Sequence, residues 1–361
     1  MFRIEMLEAN EGDALWVEFG DPAAPRRMLI DCGYKSTYRT VLERLDADPG
    51  LNLELFVLTH IDADHIAGAV PFISDARVTP ARVKDVWFNS RKHLDDRLGA
   101  EQAEYFTHHL ERKQFNWNRQ FNGSSIVVPD HGDLPEIEVG DLRLTLLSPS
   151  RGQLRTLADH WDAELEEVMT RRGVETVDEL IELPNRRLEP DRLGAPNVQA
   201  LASEPFEPDD RPPNGSSIAF LAEFKDAYDH DRDKAVLFTG DAHSPMIEAS
   251  LRRLLAKRGL DRLRVDALKL SHHGSKKNTS KDLLALISCK RFLFSTNGVK
   301  HDHPNLQCVA RIVVARRPGV ELYFNYETKF NDPWKARTLQ REYRYTAHYP
   351  TAGVPGIRVE I

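Results

Sequence analysis

The segment Thr59-His60-Ile61-Asp62-Ala63-Asp64-His65 places four metal-competent side chains within six positions. The apolar run Leu53 to Leu58, which reads as a buried strand, delivers the chain to it, and helix-type apolar spacing runs on from His65 to Ile73. In a tight loop, His60, Asp62, Asp64 and His65 can converge on one point, which a regular helix or strand would not allow. Imidazole combined with carboxylate suits zinc, manganese or iron. Ions held in this way make hydroxide from water at neutral pH. A helix-capping role would explain one aspartate. It would not explain two histidines and two aspartates together.

Further ligand-capable groups close other strand-like runs. Asp241 ends Val236-Leu237-Phe238-Thr239-Gly240-Asp241, and His272 and His273 follow Leu268-Lys269-Leu270. Ser295-Thr296-Asn297-Gly298 is followed by His301 and His303. A site along one edge of a layered sheet requires groups at several strand ends. Lys269, Lys276, Lys277 and Lys281 lie close in sequence to the histidine pair. From Leu251 to Arg317 there are 16 Lys or Arg against 4 Asp or Glu, although the whole chain carries a net charge of -7. Such asymmetry favours a local site for an anionic partner over a basic coat, with a solvated basic helix face as the alternative.

The positioning elements read as follows. Phe2 to Leu7, Ala14 to Phe19 and Arg27 to Asp31 are strands, with Asn10 to Asp13 a turn and Thr37 to Leu45 a helix. Lys84 to Phe88 is a strand, and Leu94 to Asn118 is a charged, aromatic-bearing helical stretch, read as an amphipathic helix packed on the body with a lid or cap as the alternative. Ser125 to Val128, Glu136 to Val139 and Leu142 to Leu147 read as strands. Residues 150–213 form a second insertion: helical pieces at Thr156 to Arg172 and Thr176 to Leu183, then a Pro-rich loop. Strands resume at Ser217 to Phe224, Ala235 to Thr239, Ala267 to Leu270, Arg291 to Ser295 and Glu321 to Asn325. Helices are expected at Pro245 to Lys257, Leu283 to Ile287 and Gln307 to Ala315.

The 361 residues, 41% hydrophobic and 29% charged, can bury a large core without disulfides, which excludes a disordered tail or a collagen-like repeat. The cysteines, Cys32, Cys289 and Cys308, form no CxxC pair, which argues against a disulfide framework and favours a reducing cytoplasm. Acidic residues stand where a signal peptide needs an apolar core, and no apolar run approaches the roughly 18 residues of a membrane span. A soluble cytoplasmic protein is expected.

Thr59 to His65 resembles the signature loop of the metallo-β-lactamase-fold superfamily, HxHxDH, with Asp62 in place of the second His. Leu29-Ile30-Asp31-Cys32-Gly33 upstream, and Asn214-Gly215-Ser216-Ser217, Thr239-Gly240-Asp241, His272-His273-Gly274-Ser275 and His303-Pro304 downstream, keep the family's order. The set is similar to the soluble hydrolase domain of the competence protein ComEC. This resemblance implies an α/β fold, a four-layer αββα sandwich with helical insertions at about 90–122 and 150–213. The hydrolase domain would span 1–325, with 326–361 a C-terminal extension.

The resemblance also implies two divalent metal ions, Zn or Mn. His60 and Asp62 would bind the first, Asp64 and His65 the second, and Asp241 would bridge them. His272 or His273 would complete the site or protonate the leaving group, so Asp64 and His273 are the expected catalytic pair and His272 a ligand. Asn214, Ser216, Ser217, Lys276 and His303 would contact substrate. His131 is the nearest candidate for the family's middle ligand, with a turn residue as the alternative. Asp62 in place of His makes the first position harder and more anionic, which tilts it toward Mn or a loosely held Zn.

Three functions follow. The first is a phosphodiesterase or nuclease acting on an anionic substrate such as single-stranded nucleic acid, with Tyr105 or Trp117 as candidate stacking residues and core packing as the alternative for either. The second is a small-molecule hydrolase of a lactone, thioester or amide. The third is a partner-gated effector that docks through the two insertions.

Overall fold

The computed structural model describes residues 1–90, 93, 101–159, 196–225, 233–315, 319–351 and 356–361. Most of the helical pieces expected at 156–172 and 176–183, and part of the stretch 94–118, lie outside them.

Two sheets form the body. The first has strands β1 (Phe2–Met6), β2 (Leu15–Phe19), β3 (Arg26–Ile30), β4 (Leu55–Val57), β5 (Val86–Trp87) and β14 (Ile357–Glu360), in the order β14-β1-β2-β3-β4-β5. The second runs β13-β12-β11-β10-β9-β8-β7-β6, from β6 (Glu136–Val139), β7 (Leu142–Ser148), β8 (Ala219–Phe224), β9 (Lys234–Phe238), β10 (Leu263–Lys269), β11 (Ile287–Phe294), β12 (Val320–Phe324) and β13 (Tyr345–His348). Residues 326–361, set apart in the sequence as an extension, supply an edge strand to each sheet.

Strand alternation builds the layers. Leu15, Val17, Met28, Ile30, Leu55 and Val57 point into the core shared with the second sheet. Their neighbours Trp16, Leu29 and Phe56 point to the outer face, where Val41, Leu42, Ile73 and Phe106 cover them from helices. Those helices are α1 (Lys35–Ala47), α3 (Ala69–Ser74) and α4 (Glu101–Arg112), with α2 (Ala63–Ile66) before α3. On the far side, Ile247, Leu251 and Leu254 of the helix Ser244–Arg258 and Val309 and Ile312 of the helix Leu306–Val314 join the main core. The result is an αββα sandwich. No helix among the described residues is long and apolar enough to cross a membrane.

Two local readings are corrected. The helix expected from His65 to Ile73 is broken into α2 and α3, because the Gly68 N–H donates to the Gly33 carbonyl at 2.7 Å and Pro71 has no N–H to give the ladder. Ser125 to Val128 forms no strand, and Val128 makes only an isolated bridge to Ser150. Helix α4 buries Ala103, Phe106 and Leu110 against the first sheet, while Tyr105 is 56% exposed. The Trp117 Nε1–H donates to the Phe88 carbonyl at 2.9 Å.

Candidate metal centre

In each sheet, β3, β4 and β5 and likewise β9 to β13 run parallel, so their C-terminal ends share an edge. Ligands collect at such edges in open α/β sheets. Asp31 follows β3, and Thr59 and His60 follow β4. Asp241 follows β9, His272 and His273 follow β10, and Ser295 follows β11.

Asp31 fixes two of the histidines. Its Oδ1 accepts from the Thr59 N–H at 2.7 Å, and its Oδ2 faces His65 Nδ1 at 2.7 Å and accepts from Thr59 Oγ1 at 2.8 Å. The carboxylate holds a proton on Nδ1 of His65 and turns Nε2 toward the centre. Thr59 Oγ1, having donated to Asp31, is an acceptor for His60 Nδ1 at 3.0 Å, so Nε2 of His60 is turned inward in the same way. His272 and His273 adopt consecutive left-handed conformations, φ 48° and 55°, ahead of Gly274 at φ 88°. Such backbone costs energy and persists where surroundings over-determine it. Here His273 Nδ1 donates to the Ser295 carbonyl at 2.9 Å, while His272 Nδ1 lies 3.2 Å from Asp209 Oδ2 and from Asn278 Oδ1.

The Nε2 atoms converge on Asp241. Its Oδ1 is 3.6 Å from His65 Nε2, and its Oδ2 is 3.6 Å from His273 Nε2, 3.8 Å from His60 Nε2 and 3.9 Å from His272 Nε2. Asp64 Oδ2 stands 3.4 Å from His273 Nε2 and 4.0 Å from His65 Nε2, and Asp62 Oδ2 stands 3.9 Å from His60 Nε2. Two half-sites share Asp241: His60, Asp62 and His272 on one side, and Asp64, His65 and His273 on the other.

Burial would raise the Asp241 and Asp64 carboxyls, but the histidines hold both well below the usual range. Burial would lower His65 and His273, yet Asp241 and its neighbours raise both, His273 to about 10. On His60 burial prevails, with His65 adding to it, and its affinity for a proton falls.

The donor set fits divalent ions. Nε2 of His60, His65 and His273 and Oδ1 of Asp241 are buried with no hydrogen-bond partner among the described residues. An orphaned cluster of this kind is costly unless a cation satisfies it. Asp13, His65, Asp241 and His273 each offer a ligand atom, all within 4.8 Å of one another.

Beside His272 opens a cavity of about 360 Å³, lined by Arg211, Lys276, Lys277, His301 and His303 among others. His303 is 6% exposed, and neither ring nitrogen has a partner. Burial, then His272 and His273, holds it well below its usual pKa, so the ring is neutral at pH 7.

Of the expected substrate residues, Lys276 and His303 therefore line the cavity. Asn214 instead donates to Asp209 Oδ2 at 2.6 Å. Ser216 Oγ donates to the Pro213 carbonyl at 2.6 Å, and Ser217 Oγ accepts from the Asp241 N–H at 3.2 Å. His131 lies in an exposed turn and is not in the group of residues whose ligand atoms converge. Its solvent-facing loop is held by Arg253, which donates to the carbonyls of Pro129 and Gly132.

Sequence reasoning missed Asp13 and Asp209. Asp13 sits in an Asn-Glu-Gly-Asp turn, and Asp209 in a Pro-rich stretch. Neither carries a local signal beyond being acidic.

Residues 26–150 match the sequence model of the Metallo-beta-lactamase superfamily. The match includes Asp31 and His60 to His65 and ends before Asp241. Comparison with curated proteins finds no match. Among solved structures, the chain is similar to CmlA, a diiron beta-hydroxylase from Streptomyces venezuelae, at 12% identity and TM-score 0.41, covering 99% of this chain and 54% of that one. A diphosphatase from the PhnP family gives 13% and 0.36, covering 100% and 98%. A metallo-beta-lactamase from Cronobacter sakazakii gives 12% and 0.30, covering 72% of each. The chain thus spans about half the length of CmlA. The two packed sheets flanked by helices are the four-layer sandwich of the metallo-β-lactamase fold.

Proposed function

We propose that this protein is a metal-dependent hydrolase of phosphodiesters that acts in the cytoplasm. The observation that carries the reading is the cationic cavity at the metal centre. Arg211, Lys276 and Lys277 supply positive charge beside His272, and His303 offers a neutral ring for a substrate oxygen. The resemblance of the motif set to the competence-protein hydrolase domain supports the same substrate class. Three buried free cysteines support the compartment.

His60, Asp62 and His272 would hold one ion, Asp64, His65 and His273 the other, and Asp241 both. Bound there, two divalent ions, Zn or Mn, would supply a hydroxide nucleophile and charge stabilisation. The chain's own residues do the rest. Asp64 and Asp241 orient the attacking water. Arg211, Lys276 and Lys277 hold the phosphate oxygens, and His303 donates one hydrogen bond.

The cavity also favours a second reading, a small anionic ester, because about 360 Å³ holds a small molecule and, among the described residues, no Phe, Tyr or Trp lines it for base stacking.

The test is cleavage of 5′-labelled single-stranded DNA by Mn- and Zn-loaded protein, with His60→Ala/Asp64→Ala as the blank. Metal-dependent laddering absent from the blank supports the nuclease. Cleavage of a small phosphodiester such as bis(4-nitrophenyl) phosphate, without laddering, moves the assignment to the small ester. No cleavage of either by metal-loaded protein overturns the phosphodiesterase and favours a lactone, thioester or amide hydrolase or an effector gated by a partner at the insertions.

A further inference from the structure

The turn between β1 and β2 reaches the centre from the opposite end of the chain to the histidine pair. It is clamped there: the Ser295 hydroxyl donates to the Gly12 carbonyl at 2.9 Å, and the Asn297 N–H donates to the Asn10 carbonyl at 2.8 Å. A Cβ on Gly12 would stand 1.7 Å from the Asp64 carbonyl oxygen, so only glycine lets the turn lie against the ligand loop. The next residue, Asp13, is 1% exposed.

The two oxygens of Asp13 differ. Oδ2 pairs with Lys269 Nζ at 2.7 Å, and that ammonium, itself buried, also donates to the Leu270 carbonyl at 2.9 Å. Oδ1 has no hydrogen-bond partner among the described residues. His273 Nδ1 is 3.4 Å away, but its proton goes to the Ser295 carbonyl at 2.9 Å. A buried carboxylate oxygen with no donor is costly unless a cation meets it. Its surroundings are ligand atoms of His65, Asp241 and His273, all within 4.8 Å.

We infer that Asp13 is a further ligand of the ion held by Asp64, His65 and His273, and that Lys269 holds it in place and offsets its charge. The inference rests on the two-ion reading proposed above. Two imidazoles with carboxylates from separate elements suit one divalent ion. Lys269 keeps Asp13 oriented when the ion is absent.

Ion binding decides the matter without recourse to activity. Zn affinity and stoichiometry are measured by competition with a chromophoric chelator, and Co-loaded protein is followed by its visible absorption. The proteins are wild type, Asp13→Asn, Lys269→Met and the neutral double variant Asp13→Asn/Lys269→Met, in which no buried charge is left unpaired. Asp13→Asn and the double variant are expected to weaken one ion at least tenfold, to leave the other within about twofold, and to shift the Co spectrum. Lys269→Met is expected to lower the Tm of metal-free protein more than that of loaded protein. Wild-type affinities and spectrum in the folded double variant would overturn the inference and leave Asp13 as the partner of Lys269 alone. A wild-type chain that binds no ion would overturn the metal centre itself. Two bound ions without hydrolysis would overturn only the proposed function.

Discussion

The half of the centre around His65 and the half around His60 use the same donor types in different surroundings. His65 and His273 are at most 2% exposed, and Asp31, the Ser295 carbonyl and the Asp13–Lys269 pair surround them. Asp62 and His272 have side chains 15% exposed, and His272 lines the cavity. Their supports come from the end of the second insertion: Asp209 beside His272, and Arg211 Nη1 at 3.5 Å from Asp62 Oδ2. Charges interact more strongly where water is excluded. With ions in both halves, the buried half would hold its ion more tightly and the outer half would be the one to meet substrate. Arg211 also draws on the Asp62 carboxylate, which weakens that ligand further.

Asp241→Asn strikes the carboxylate both halves share and has the largest expected effect. Metal content should fall below one ion per chain, and hydrolysis by about three orders of magnitude, ~4 kcal/mol in the barrier. Two ions retained, as measured by elemental analysis, would mean the halves do not share it.

Asp209→Asn should strike the outer half alone. Removing a carboxylate partner of a ligand histidine costs about 10–100-fold in affinity, so one ion should weaken by that factor and the other stay. Equal weakening of both ions in a chelator titration would break the comparison.

Lys276→Ala with Lys277→Ala touches the cavity and no ligand. KM should rise about tenfold with kcat nearly unchanged, and the difference should shrink as salt rises from about 50 to 200 mM. A fall in kcat alone, in steady-state kinetics, would place these lysines outside substrate binding.

The smallest effect lies away from both halves. Burial pushes Asp85 up to about 6, against the backbone N–H groups of Arg119 and Val86. The folded protein thus binds this proton more tightly than the unfolded chain does, and stability falls as pH rises from about 4 through 6. Asp85→Asn should raise Tm at pH 7, by no more than about 3 kcal/mol equivalent, and give no gain near pH 4. An equal gain at both pH values in thermal melts would assign it to packing.

The local parts of this design were legible in the sequence. His60 to His65 could be read because four ligands sit in one loop, and Asp241, His272 and His273 because each closes an apolar run. Ala14 to Phe19 is legible as a strand, but the opposite faces on which Leu15 and Trp16 bury emerge only from the packed sheets. What stayed hidden is set by distant contacts. Nothing near Asp13 announces Lys269, and nothing near Asp209 announces His272. The basic stretch misled in part, because Lys257, Arg258 and Lys269 spend their charge on Glu136, Glu223 and Asp13. The guanidinium of Arg311 donates to the carbonyls of Lys276 and Thr279. The four-residue strand β14 was too short to show a period.

That last strand governs how the first sheet is closed. β14 pairs antiparallel with β1, Arg3 opposite Glu360 and Met6 opposite Ile357, and the Ile361 N–H donates to the Phe2 carbonyl at 3.0 Å. Pairing between segments so distant in sequence must first meet the entropy of closing a long loop, which makes it intrinsically slow. Until β14 docks, the outer edge of β1 is bare, a template for pairing with other chains.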